Sequence, residues 1–220
     1  NMRWKYSLFD LDGTLTDSRE GILNSVKYAL EAFGKEIPSE EKLLQFIGPP
    51  LVEGFQRITG MTKDEAVLAT AKYRERFGTV GLFENRVYDG IDTVLEKLKE
   101  KGYVLAVATS KPEEYSMRIL EHFHLAAYFT AIVGSTFDES RSRKADVIQE
   151  ALRRLGIAED AKKDVIMVGD RKHDILGAQE CGLTSLGVYY GFAPEHELEA
   201  FHADHIVQKV ADLLTFFEAE

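Results

Sequence analysis

From residue 90 onward the chain alternates between short apolar runs and stretches of helical periodicity, a rhythm that few folds accept. The runs are "YVLAVAT", "TAIVG", "DVIMVGD", "TSLGVYY" and "DHIV", and "KYSLFD" near the start is another of the same kind. Each reads as a short strand buried on both faces. Between them, "GIDTVLEKLKEKG" sets Ile91, Val94, Leu95 and Leu98 on one helical face and stops at Gly102. "SRKADVIQEALRRLG" does the same with Val147, Ile148, Ala151, Leu152 and Leu155, stopping at Gly156. Alternating strand and helix predict an α/β fold: a mainly parallel, Rossmann-like sheet, covered by helices on both faces through right-handed crossovers.

Residues 17–86 break this rhythm, with several helical patterns and no convincing strand. Asp17 with Glu20, and Thr62 with Glu65, have the spacing of capping boxes, and Gly34, Gly48 and Gly60 sit where helices would stop. Ile22, Val26, Leu30 and Phe33 form one apolar stripe, while Phe46, Phe55, Tyr73 and Phe77 read as the core of a small bundle. The expectation is an inserted helical domain at 17–86 and an α/β domain made of 1–16 and 87–220.

The chain has 220 residues, 45% of them apolar and 29% charged, enough for one large core plus a small insert. A formal net charge of −10 without a long basic cluster argues against a nucleic-acid polymer or an anionic membrane as partner. Cys181 is the single cysteine, so no internal disulfide forms, and no secretory signal or long apolar span is evident. A cytoplasmic protein, monomer or homodimer, is expected. Asn1, ahead of Met2, reads as a remnant of expression.

Parallel strands bring their carboxyl ends to one edge, where ligands bind. There the sequence places Asp10 and Asp12 after the first strand, Thr109-Ser110-Lys111 after "YVLAVA", Lys144 at a helix start, and Asp170 and Asp174 in "GDRKHD". Singly, each has an ordinary explanation: turn chemistry for the aspartates, a helix N-cap for Thr109 or Ser110, solvation for Lys144. Together they suggest one site. Counting the four aspartates against Lys144 leaves an excess of negative charge too costly for a partly dry cleft. A hard divalent cation such as Mg²⁺ relieves it, and the negative residue still left favours a proton on one carboxylate. An acid beside a nucleophile results. Histidine metal ligation is disfavoured, since no pair has helical i, i+4 spacing. His173, between Asp170 and Asp174, suits a solvated or structural role better.

"DLDGTLTDS", "VATSKP", Lys144 and "GDRKHDI" resemble the four ordered motifs of the haloacid dehalogenase superfamily. The inserted helical cap and the re-entry at "VYDGI" are similar to its phosphoglycolate phosphatase-like branch, and "FIGPPLVEGF" with "GDRKHDI" to bacterial 5′-nucleotidase-like members. The resemblance implies a Mg²⁺-dependent phosphatase acting on a small phosphorylated metabolite. It makes Asp10 the nucleophile that becomes an aspartyl phosphate and Asp12 the acid and base. Asp12, Gly13, Thr109, Ser110 and Lys144 would hold the phosphoryl group. Asp10, Asp170, Asp174 and the Asp12 carbonyl would hold the metal, and Gly48, Pro49 and Pro50 of the cap would contribute specificity. Arg171, where many relatives carry Ser, is expected either to attract an anionic substrate with Lys172 or to be exposed.

Cations matter to this chemistry because an anionic nucleophile about 3.3 Å from a phosphoryl oxygen meets about 5 kcal/mol of repulsion per charge pair at a dielectric of about 20. Alternatives left open are a phosphomutase of the β-phosphoglucomutase type, an aspartyl-phosphate signalling domain and a non-catalytic binding relative.

Overall fold

The structure, a computed structural model, describes residues 3–219. In chain order it runs β1 (Tyr6–Phe9), β2 (Thr16–Asp17), α1 (Arg19–Ala32), α2 (Glu40–Leu44), α3 (Leu51–Thr59), α4 (Lys63–Phe77) and β3 (Arg86–Val87). It continues through α5 (Ile91–Glu100), β4 (Val104–Pro112), α6 (Glu113–His122), β5 (Ala131–Ser135), α7 (Lys144–Arg154) and β6 (Val165–Gly169). The last elements are α8 (Lys172–Cys181), β7 (Thr184–Val188), α9 (Glu197–Ala200), β8 (His205–Val207) and α10 (Ala211–Glu218). Two compact units result, residues 17–86 and the remainder of the chain.

In the α/β unit six strands form one parallel sheet in the order β5-β4-β1-β6-β7-β8. The alternation beyond residue 90 predicts this architecture, and the order adds what periodicity does not carry. β1 lies centrally, with Phe9 in register with Val107 of β4 on one side and Val168 of β6 on the other. Strand order reverses there, so the carboxyl end of β1 is the switch point where such sheets open a crevice. One face of the sheet packs Leu8, Ala106, Val133 and Met167 against Val147, Ile148 and Ala151 of α7 and Ala178 of α8. Every residue of β6 is buried, as a strand covered on both sides requires.

The helical unit is built from α1 to α4. Ile22, Val26 and Leu30 of α1 are buried, and Phe33, half-buried, caps that helix instead of extending its stripe. Ala66, Ala69, Tyr73 and Phe77 of α4 are buried, Tyr73 stacks on Phe77, and Phe46 meets Phe55 edge-on. The Thr62–Glu65 capping box forms. The one expected at Asp17 and Glu20 does not: Ser18 is the N-cap of α1, and Asp17 Oδ1 accepts from Arg19 N–H at 3.2 Å. Arg86 Nη2 also sits 3.3 Å from Asp17 Oδ2, so that carboxylate is drawn away from a capping position. Among the described residues no helix is long and apolar enough to cross a membrane.

Candidate active site

Asp10 is the first residue beyond β1, and its backbone N–H continues the sheet by donating to Val168 O at 2.9 Å. Its side chain is therefore aimed by the central strand. Asp10 Oδ1 accepts from Leu11 N–H at 2.8 Å and lies 3.1 Å from Lys144 Nζ. The same ammonium lies 2.8 Å from Asp174 Oδ1 and donates to Ala108 O at 3.1 Å. Lys144 is buried at the first turn of α7, not solvated. Its stem crosses α8 at Gly177, where an added Cβ would stand 2.7 Å from Lys144 Cγ.

Asp170 follows β6 and is fully buried. Thr14 Oγ1 donates to its Oδ1 at 3.3 Å and Phe192 N–H to its Oδ2 at 2.8 Å. Asp174 sits in the first turn of α8 and its Oδ2 accepts from Arg171 N–H at 3.1 Å, tying the carboxylate back to the helix start. One ligand oxygen from each of Asp10, Asp170 and Asp174 lies within 4.8 Å of the others.

Asp12 departs from that trio. Its Oδ2 lies 3.0 Å from Lys111 Nζ, while its buried Oδ1 has no hydrogen-bond partner among the described residues. Lys111 belongs to an irregular end of β4: the register with β5 is broken between Ala108 and Pro112, so Thr109, Ser110 and Lys111 stand outside the ladder. Thr109 is buried, accepts from Lys111 N–H at 3.2 Å and caps no helix, since α6 begins after Pro112. Gly13 has φ of +83°, and an added Cβ would meet Asp170 Oδ2 at 2.1 Å. Its N–H donates to Thr16 O at 2.8 Å, so Gly13 contributes shape here and not a phosphate donor.

The electrostatics follow from this packing. Burial, then the charges of Asp174 and Asp12, push the Asp10 carboxyl up to about 7 against the opposing pull of Lys144 and Leu11 N–H. Burial and the charges of Asp174 and Asp10 raise Asp170 well above the ordinary carboxylate range. Burial works to lower Lys144, but Asp10 and Asp174 outweigh it and hold the ammonium charged. Lys111 changes the charge count made from sequence: four aspartates now face two buried lysines, a formal −2 that one divalent cation cancels. With no cation, burial and mutual repulsion favour the protonated form at both Asp10 and Asp170. An all-oxygen donor set of buried carboxylates fits a hard divalent ion.

A profile of the family described as haloacid dehalogenase-like hydrolase matches residues 7–188. The chain belongs to the haloacid dehalogenase-like hydrolases. It is 44% identical to the 5′-nucleotidase of Pseudomonas aeruginosa over 218 residues, 99% of this chain and 97% of that protein. The crystal structure of a predicted phosphatase from Clostridium acetobutylicum matches it with a TM-score of 0.93 and 46% identity, over 98% of this chain and 99% of that one. Tyrosine-protein kinase PtkA of Mycobacterium tuberculosis is 39% identical over 186 residues, 84% of this chain but 62% of that relative. This chain is therefore an enzyme of the hydrolase family, and phosphoric monoester hydrolysis is the activity its phosphatase relatives indicate.

Several positions in this hydrolase differ from their sequence reading. Arg171 neither faces solvent nor is free for substrate: it is buried, with Nε 2.8 Å from Glu197 Oε2. His173 is half-buried, and desolvation drives its imidazole down to about 4, so it stays neutral, compatible with the structural alternative of its reading. Lys111 was visible in "TSKP" but not as the partner of Asp12. Thr14, Phe192 and Glu197 carried no signal, because each acts through its position in the fold. Gly48, Pro49 and Pro50 form the link between α2 and α3, with Pro50 at the N-cap of α3. A separate cleft of about 580 Å³ in the helical unit is bordered by Arg19, Asn24, Lys27, Glu40, Glu84 and Arg86.

Proposed function

We propose that the chain is a Mg²⁺-dependent phosphatase of small phosphomonoesters, with Asp10 as nucleophile and a nucleoside 5′-monophosphate as the preferred substrate class. The observation that carries this reading is the sharing of Lys144 between Asp10 and Asp174, beside Asp170, at the switch point of the sheet. The substrate preference is supported by likeness to the Pseudomonas aeruginosa 5′-nucleotidase. Phosphoglycolate remains the second substrate to compare.

Asp10, Asp170, Asp174 and the Asp12 carbonyl would hold Mg²⁺. When bound, the ion supplies positive charge that lowers repulsion between Asp10 and the phosphoryl oxygens. Lys144 fixes the Asp10 carboxylate and offsets its charge, and Thr109 with the Ser110 N–H, outside the β4–β5 ladder, would donate to phosphoryl oxygens.

Asp10 forms an O–P bond while the bond to the ester oxygen breaks, and the departing alkoxide takes a proton from Asp12. Asp12 then accepts a proton from water as that water attacks phosphorus. The bond from phosphorus to Asp10 breaks, inorganic phosphate leaves, and Asp12 carries the proton for the next cycle. Lys111 would steady the Asp12 carboxylate through the half of the cycle in which it is ionised.

Phosphate release from nucleoside 5′-monophosphates, phosphoglycolate and sugar phosphates, with and without Mg²⁺, tests the reading. Turnover is expected only with Mg²⁺ and is expected to fall more than about 10³-fold in Asp10→Asn, with the fold retained. Parent-level hydrolysis by that variant would overturn the assignment of the nucleophile. Transfer to a sugar hydroxyl in place of water would favour the mutase alternative.

A further inference from the structure

We propose that the buried pair Arg171–Glu197 is a positioning device for the metal carboxylates, so that Glu197, remote from the motifs in sequence, governs cation affinity. The inference rests on the metal site described under Proposed function. Glu197 opens α9, 26 residues beyond Arg171. Its carboxylate receives Arg171 Nε at 2.8 Å and Nη2 at 3.3 Å, and Lys172 N–H at 3.1 Å. Both charged side chains are withdrawn from solvent, at 8% and 9% exposure.

What these bonds hold is the segment between the two carboxylates. Asp170 precedes Arg171 directly, and Asp174 Oδ2 hangs from the Arg171 N–H at 3.1 Å. Glu197 thus anchors the Arg171 side chain and the Lys172 backbone immediately after the N–H that orients Asp174. Bidentate guanidinium–carboxylate geometry fixes direction as well as distance, which a lysine or an exposed pair would not. A pair buried this deeply adds little net stability, so orientation is the better account of its presence. Groups that hold metal ligands commonly change metal affinity about 10- to 100-fold when removed.

Mn²⁺ binding to the purified full chain, followed by electron paramagnetic resonance, gives the direct readout. A second is the rise in melting temperature on adding Mg²⁺. Glu197→Ala and Arg171→Ala are each expected to weaken Mn²⁺ binding about 10- to 100-fold. The double variant should be little worse than either single one, because the two residues act as a unit. The Mg²⁺ concentration giving half-maximal phosphate release should rise in step, with a much smaller fall in kcat at saturating Mg²⁺. Should the alanine variants fail to fold, Glu197→Gln, which keeps the shape and one acceptor, decides by showing intermediate weakening. Unchanged Mn²⁺ affinity in a folded Glu197 or Arg171 variant overturns the positioning role alone. Absence of Mn²⁺ and Mg²⁺ binding in the parent protein overturns the metal site itself and this inference with it.

Discussion

Lys111 Nζ lies 3.0 Å from Asp12 Oδ2, and the two side chains are only 6% and 11% exposed. A buried carboxylate stripped of its salt-bridge partner is costly. Lys111→Met should lower unfolding free energy by about 3–5 kcal/mol in urea titrations, and by much less when made in an Asp12→Asn background. Equal losses in both backgrounds would mean that Lys111 stabilises the fold by packing alone.

Asp10 gives a pH signature. Its carboxyl is raised from 3.8 to about 7, so the stability it contributes is complete below 3.8 and is lost as pH rises through 7. In EDTA the parent should therefore lose melting temperature relative to Asp10→Asn between pH of about 4 and about 7. A parent-minus-variant difference that stays flat across this range would contradict the assignment.

Cation binding should show the opposite slope. The protons held by Asp10 and Asp170 must leave before these carboxylates can ligate, so Mg²⁺ affinity should fall by about tenfold or more per unit as pH drops below 7. Calorimetric titrations at several pH values, corrected for buffer ionisation, would measure the proton released.

Gly177 tests how Lys144 reaches its partners. Alanine is the better helix former by about 1 kcal/mol, yet its Cβ would stand 2.7 Å from Lys144 Cγ and 3.1 Å from Ile148 Cδ1. Overpacking of this kind costs about 1–3 kcal/mol, so Gly177→Ala should be destabilised despite its propensity, with phosphate release reduced about tenfold or more. Urea titration and activity at saturating Mg²⁺ check the two effects separately.

The helical unit offers a local contrast. Thr62 caps α4 through Glu65 N–H in a full capping box, whereas Asp17, one residue before the N-cap Ser18, accepts only from Arg19 N–H at the start of α1. Thr62→Ala should cost about 1 kcal/mol by urea titration. Asp17→Ala should cost less, since it breaks no capping box and removes only the Arg19 N–H bond and the ion pairs with Arg19 and Arg86.

Sequence spacing made much of this legible because the signals are local. A buried strand must be apolar along its length, and the next residue is the first that can carry charge, so Asp10 and Asp170 mark strand ends without knowledge of their neighbours. Capping pairs were legible only where nothing competed: Thr62 found Glu65, but Asp17 turned to Arg19 and Arg86. Arg171 looked like a surface residue since nothing near it in the chain announces Glu197.

By itself, then, the sequence determined the strand and helix rhythm, the inserted helices and the residue types gathered at the carboxyl edge of the sheet, because each depends on neighbours within a few positions. Tertiary structure alone decided that Lys111 serves Asp12, that Lys144 is shared by Asp10 and Asp174, and that Arg171 turns inward. Coulomb energies in a buried site vary with distances of a few ångströms between residues as far apart in the chain as 12 and 111, and only the folded sheet fixes those distances.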